Sequence, residues 1–295
     1  MTSGLNYGVK YTLPHIPGSD VAGIIEKING ISNLKVGQVI VVNPAIPCNH
    51  CPRCKNDLSC EVVNIFGYKT QGGYAEYVTA PIKQLYPKPK NLSFTEAAAF
   101  PLTFLTAYHM LVGRANLQKN ETVFIWGGSG GLGTAAIQIA KHIGAKIITT
   151  VSKDADAKKV KQLGTLEVIN YKKENIEQSV IKLTNGKKVD VVFESVGAKT
   201  WNTSLTILRP HGRLVISGVT SGALASQDLS NIYYYQQTIL GSRMGTMSEF
   251  EQVIKLVEAG ILKPIIDKIF PLKDAEKAVK RLSESKQFGK IILEC

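Results

Sequence analysis

The spacing of apolar positions changes character along the chain. Across residues 16–42, short apolar runs alternate with turn residues in the order IPGSD, VAGIIEKI, NGISNLKVG and QVIVV, which predicts antiparallel strands of a β-rich region. The rhythm returns in GGYAEYV, where Gly72 and Gly73 permit a tight turn and residues 74–78 alternate as a strand. Helical spacing takes over between Ser93 and Val112. Ser93 and Glu96 stand as a capping box, and Pro101 divides the run into two helices. From Glu121 onward strand and helix alternate: TVFIW, a glycine-rich turn, TAAIQIAKHIG, KIITTV, AKKVKQLG, LEVIN, and later VDVVFE and RLVISG. Such alternation requires a doubly wound parallel sheet, so the fold class is α/β with a second, β-rich domain. Residues 248–295 read as helix, strand, helix, strand, and the pattern alone leaves open which domain they complete.

The glycine-rich turn carries the first candidate chemistry. Gly128-Ser129-Gly130-Gly131-Leu132-Gly133 fits G-x-G-x-x-G between a strand ending at Trp126 and a helix reaching Ile143. Gly128 is expected to make the tight turn, Gly130 to admit a pyrophosphate close to the backbone, and Gly133 to let helix pack on strand. The helix N-terminus then offers amides and a positive dipole end to phosphates. At the end of the second strand an acid would accept the ribose hydroxyls of NAD, but Val151, Ser152 and Lys153 stand there. The lysine favours NADP over NAD, with Asp154 expected as the N-cap of the next helix.

The cysteines carry the second. Cys48, Cys51, Cys54 and Cys60 are spaced C-x2-C-x2-C-x5-C, so four thiolates can close a tetrahedral structural zinc site. An iron–sulfur cluster is the competing metal reading. His50 lies within the lobe as an exposed loop residue, since four sulfurs suffice, and Cys295 stands apart as a terminal thiol.

Composition narrows the partners. A chain of 295 residues suits two cores without disulfide staples, and 44% hydrophobic with 20% charged residues excludes disorder. The net charge of +12 suggests an anionic partner, yet the lysines are scattered and no aromatics interleave with them, which argues against nucleic acid. The start of the sequence lacks a signal-peptide pattern, and the most apolar stretch, residues 97–112, is too short and too interrupted to span a bilayer. The expectation is a cytoplasmic protein acting on a small molecule. His15, His109, His142 and His211 read as structural rather than as a general base.

Taken together, LPHIPGSDVAG, KVGQVIVV, the cysteine lobe, GGYAEYV, AAAFPLTFLTAYHML, the glycine turn and FGKIIL resemble the medium-chain dehydrogenase/reductase family, which includes zinc alcohol dehydrogenases and quinone reductases. The resemblance implies a GroES-like catalytic domain at residues 1–98, short at its N-terminus and carrying a zinc lobe at 44–66. It implies a Rossmann domain at 99–245 and a segment, 246–295, that rejoins the catalytic domain. Association through the cofactor domains into a homodimer or homotetramer is implied as well.

Family members with a catalytic zinc hold it with an N-terminal cysteine, the histidine of a G-H-E segment and a later cysteine. Here the segment reads Gly18-Ser19-Asp20 and the later position is Leu102. The resemblance therefore implies an oxidoreductase nearer the quinone-reductase branch, transferring hydride without a Lewis-acid zinc. Ser19, Asp20 and Thr106 are the expected reaction-site residues. Tyr171, Ser195, Val196, Gly218 and Thr220 match cofactor-binding positions, and Lys158 matches a weaker phosphate partner. The competing expectation is a dinucleotide-binding scaffold without catalysis of its own.

Overall fold

A computed structural model describes residues 13–56 and 59–295. The chain divides into two compact units, one made of the residues up to Leu105 together with Met244–Cys295, the other of Thr106–Arg243.

In the first unit, β1 (Ala22–Ile24), β2 (Val39–Val42) and β5 (Leu85–Pro87) form an antiparallel sheet in the order β1-β2-β5. Between them β3 (Ala45–Ile46) pairs antiparallel with β4 (Asn64–Ile65), and this short ladder closes the base of the cysteine lobe, which holds the single turn α1 (Pro52–Lys55). Ile25, Ile40, Val42 and Phe66 form the buried centre. The helical run then yields α2 (Phe94–Ala97), opened by the complete Ser93–Glu96 capping box, and α3 (Pro101–Tyr108), which His109–Arg114 continues as a π-helix.

The strand expected at residues 74–78 does not form. The amides of Gly72, Gly73 and Tyr74 donate instead to the carbonyls of Ile16, Gly18 and Pro17, so the segment is held by a loop rather than by a sheet ladder.

The second unit is a six-stranded parallel sheet. In chain order come β6 (Thr122–Ile125), α4 (Gly131–Ile143), β7 (Lys146–Val151), α5 (Asp154–Gln162), β8 (Glu167–Asn170), α6 (Ile176–Leu183), β9 (Val189–Glu194), α7 (Trp201–Thr206), β10 (Leu208–Ile216), α8 (Leu229–Tyr234) and β11 (Thr238–Gly241). The spatial order β11-β10-β9-β6-β7-β8 puts the reversal of direction between β6 and β9. In open sheets of this kind ligands bind at such a switch point, outside the carboxyl ends of the strands. Phe124, Ile148, Ile169, Val192 and Leu214 supply buried apolar side chains, one from each of the five inner and far strands β6 to β10. The short helices α6 to α8 were not expected from the pattern, because their apolar positions are too few to show a clear period.

Residues 247–294 give α9 (Met247–Glu258), β12 (Ile266–Pro271), α10 (Ala275–Ser283) and β13 (Lys290–Glu294), with β12 and β13 paired parallel. The fully buried Phe250 of α9 stacks on Phe100 at 6.1 Å and meets Tyr86 edge-on at 5.1 Å. Burying that ring stabilises the unit by about 3 kcal/mol, which is what attaches α9 to the first unit. Among the described residues no helix is long and apolar enough to cross a membrane.

Candidate functional site

The glycine turn sits at the carboxyl end of β6, at the switch point. Its parts are distributed differently from the expectation. Gly127, at φ +68°, makes the left-handed turn that had been assigned to Gly128. Gly128 is required for another reason, since a Cβ there would lie 2.4 Å from Thr149 Oγ1. At Gly133 a Cβ would stand 2.1 Å from the Gly127 carbonyl oxygen, so only glycine lets α4 begin this close to the turn. Gly130 caps the helix, and Gly131 and Leu132 open it with no acidic residue in the first turn. Those first amides have no intrahelical acceptor, and with Ser129 they form a rim suited to phosphate.

Two threonines of β7 fix the turn. Thr150 Oγ1 accepts the Gly127 amide at 3.0 Å, and Thr149 Oγ1 donates to the Ile125 carbonyl at 2.7 Å. Neither was singled out in the sequence, although two buried threonines in an otherwise apolar strand were the available signal.

Two further loops leave the same end of the sheet. Ser195 and Val196 follow β9, and Gly218 and Thr220 follow β10. They are stitched together: Thr220 Oγ1 donates to the Ser195 carbonyl at 3.3 Å, the Ser221 amide to the Val196 carbonyl at 2.7 Å, and the Ala198 amide to the Gly222 carbonyl at 3.0 Å. Gly218, at φ +122°, takes a conformation closed to other residues.

At the end of β7, Ser152 is half-buried and Lys153 is exposed. Lys153, not Asp154, is the N-cap of α5; Asp154 is the first residue of the helix. The Asp154 carboxylate binds Lys173 and Asn170, and these two, the lysine first, hold it below the usual carboxylate range. That acid is therefore engaged by neighbours. Tyr171 is exposed, and its amide donates to the Val151 carbonyl at 3.1 Å. Lys158 is exposed on α5.

In the first unit the four lobe cysteines converge. Their sulfurs all lie within 4.8 Å of one another, with Cys48 to Cys54 at 3.8 Å and Cys51 to Cys54 at 3.4 Å. A tetrahedron with Zn–S bonds of about 2.3 Å places its sulfurs about 3.8 Å apart. Backbone amides point at all of them: Cys51 N to Cys48 Sγ, Cys54 N to Cys51 Sγ, and both Cys48 N and Val62 N to Cys60 Sγ, at 3.3–3.4 Å, with the Asn49 amide on Cys54. The Glu61 and Cys54 amides lower the Cys51 thiol to about 6, whereas desolvation and the neighbouring sulfurs push Cys54 up to about 12. Four thiolates this close need a cation, and the donor set fits a closed zinc site that stiffens the lobe. His50 is exposed and its ring nitrogen sits 2.9 Å from the Cys48 carbonyl oxygen, outside the sulfur set.

Ser19 and Asp20 lie on a pinned loop. A Cβ at Gly72 would fall 2.3 Å from the Gly18 carbonyl oxygen, so the loop is clasped at backbone contact. Ser19 is half-buried within it. Both oxygens of Asp20 are engaged, one accepting the Leu102 amide at 2.6 Å and the other Lys290 Nζ at 2.7 Å. Asp20 thus anchors the start of α3 and binds β13 to the loop, a role the residue type alone did not reveal. Thr106 is buried near the end of α3 in the second unit.

Comparison with known proteins follows the same division. Residues 2–90 match the model of the alcohol dehydrogenase GroES-like domain and residues 131–259 that of the zinc-binding dehydrogenases. An NAD-dependent alcohol dehydrogenase of Sulfolobus acidocaldarius is 31% identical, over 96% of this chain and 83% of its own. The quinone oxidoreductase of Homo sapiens is 30% identical, over 97% and 82%. A crystal structure of an NAD-dependent alcohol dehydrogenase superimposes with a TM-score of 0.91 at 36% identity, covering 96% of this chain and 84% of that one.

Proposed function

The chain belongs to the medium-chain dehydrogenase/reductase family of NAD(P)-dependent oxidoreductases, and we propose that it transfers hydride between nicotinamide and a small carbonyl, alcohol, quinone or enone without a catalytic zinc. The observation that carries this reading is the turn at residues 127–133, set at the switch point beside the loops after β9 and β10. When bound, NAD(P)H supplies a hydride. The amides opening α4 would receive the pyrophosphate, with Gly128, Ser129, Gly130, Gly131, Leu132 and Gly133 as its cradle. Ser195, Val196, Gly218 and Thr220 would hold the nicotinamide half, and Ser152, Lys153 and Tyr171 the adenosine half.

Hydride transfer of this kind rests on position and hydrogen bonds. Ser19 would offer a hydroxyl to the substrate oxygen and Thr106 one to the nicotinamide, while Asp20 acts through the loop and helix it pins. The donor set supports the zinc-free chemistry, since Ser19 and Leu102 occupy the places where family members with a catalytic zinc carry histidine and cysteine. A single structural zinc belongs to Cys48, Cys51, Cys54 and Cys60.

The test is oxidation of NADPH and NADH against quinones, enones and aldehydes, on protein whose zinc content has been measured. Turnover with a single zinc per chain supports the proposal. Tight cofactor binding without any turnover would favour a non-catalytic scaffold, and a second zinc would overturn the metal-free chemistry.

The cofactor preference rests on Lys153. Lys153→Asp is expected to weaken NADPH by roughly tenfold relative to NADH, because a 2′-phosphate would lose a cation and gain an acid. The ratio of kcat/KM for the two cofactors checks it.

Assembly into a homodimer or homotetramer is part of the same proposal. β11 is an edge strand with exposed Ile239, and Leu229, Tyr233 and Tyr234 of α8 are exposed beside it in sequence. Ile239→Lys is expected to shift the protein toward monomer, read by light scattering after gel filtration, since a charge on an edge strand opposes pairing.

A further inference from the structure

One fully buried acid has no part in the roles assigned above. Glu194 ends β9, and no ion pair among the described residues includes it. Burying a carboxylate without a cation is costly unless donors occupy its lone pairs. Four do so. Oε1 accepts the amides of Val196 at 2.6 Å and Gly197 at 3.1 Å, and Oε2 the hydroxyls of Thr200 at 2.8 Å and Ser204 at 2.6 Å.

Ser204 Oγ also accepts the indole N–H of Trp126 at 2.8 Å. Trp126 is the last residue before the left-handed Gly127, and its own amide reaches the Phe193 carbonyl at 3.3 Å. A hydrogen-bonded chain therefore runs from the glycine turn after β6, through Ser204 and Glu194, to the loop after β9. These are the two strand ends that flank the switch point.

We infer that Glu194 is a positioning residue that sets the glycine turn and the loop at residues 195–197 in one fixed register for the dinucleotide. The inference rests on the cofactor reading given above. Were Glu194 only a core residue, an apolar side chain of similar size would serve as well. Its donors argue otherwise: two are amides of the loop that carries Ser195 and Val196, and a third leads to the residue next to the turn. Removing the acceptor orphans the buried Gly197 amide and the part-buried Val196 amide, and the loop must rotate to satisfy them.

Glutamine can keep the arrangement. Its amide oxygen replaces Oε1, and its Nε2 faces two hydroxyls that can each accept, with the Gly197 carbonyl 3.1 Å from Thr200 Oγ1 to take that proton.

The experiment is cofactor binding and steady-state kinetics for Glu194→Ala, Glu194→Gln and Ser204→Ala, with thermal melting alongside. Glu194→Ala is expected to raise Kd and KM for NADPH and NADH about tenfold, with kcat at saturating cofactor within about twofold. Glu194→Gln should return to within about threefold of the wild type, and Ser204→Ala, which removes one of the four donors to Glu194 together with the link to Trp126, should raise Kd about threefold. Variants that melt earlier yet bind cofactor as the wild type does would overturn the inference, leaving Glu194 a structural acid. If Glu194→Ala does not fold, an unchanged Kd in Ser204→Ala overturns it equally. Failure of the wild type to bind either dinucleotide would instead reject the cofactor reading on which it stands.

Discussion

Gly133→Ala is expected to weaken dinucleotide binding by about 100-fold, the scale of loss that a misplacement of roughly 1 Å produces in a positioned site. The added methyl carbon would lie 2.1 Å from the Gly127 carbonyl oxygen, 2.8 Å from its carbon and 2.9 Å from Gly128 Cα. All three are backbone atoms, so no side chain can swing away. Relief comes only by moving the start of α4 off the turn, and the amides that would meet the pyrophosphate move with it. Overpacking of this kind also costs stability, about 1–3 kcal/mol, and the melting temperature falls accordingly. Gly130→Ala is the control: its Cβ would meet nothing closer than the Gly127 oxygen at 3.5 Å, an ordinary contact. That variant should melt like the wild type and lose affinity only because the methyl stands where a phosphate approaches. Fluorescence titration with NADPH and a melting curve on both variants separate the two mechanisms.

Loss of the lobe metal is the second large effect expected. Cys51→Ser should release zinc and lower the melting temperature by about 10 °C, since removing a structural metal is among the few single changes worth roughly 4 kcal/mol or more. The cause is the crowding of the four sulfurs within 4.8 Å. Each sulfur is served by an amide, yet desolvation and the neighbouring sulfurs still drive Cys54 to about 12, so without a cation it keeps its proton and the set cannot close. Elemental analysis with calorimetry checks the result. A variant that keeps its zinc, or loses it with an unchanged melting curve, would show that the cluster does not stiffen the lobe.

The features legible in the sequence were those in which spacing itself encodes geometry. The alternation after Glu121 required a parallel sheet, and four cysteines within thirteen positions required a common centre. The capping box at Ser93 and Glu96 was readable because both partners lie within one turn. What was not legible depended on contacts between distant residues. Asp20 showed its carboxylate chemistry but not that Leu102 and Lys290 would engage it. Residues 74–78 alternate like a strand, yet the adjacent glycines bind the loop at residues 16–18 instead of a ladder. The double glycine at 127 and 128 left the frame of the motif ambiguous by one position, and the φ of +68° at Gly127 decided it. Glu194 was invisible as a hub, because its four donors all lie within ten residues of it but the tryptophan beyond them follows another strand, β6.

The division of the chain also sets an order of assembly during synthesis. Thr106–Arg243 is continuous, so every partner it needs has left the ribosome once Arg243 has. The other unit is interrupted. Asp20 waits for Lys290, 270 residues later, and Phe100 for the ring of Phe250. Closing so long a loop adds little to the equilibrium cost, which grows only with the logarithm of length, but it delays the contact until translation is nearly over. Through that interval the apolar face around Phe100 and Tyr86 lacks the cover that Phe250 gives it, which marks the nascent first unit, rather than the cofactor unit, as the aggregation-prone stage of synthesis.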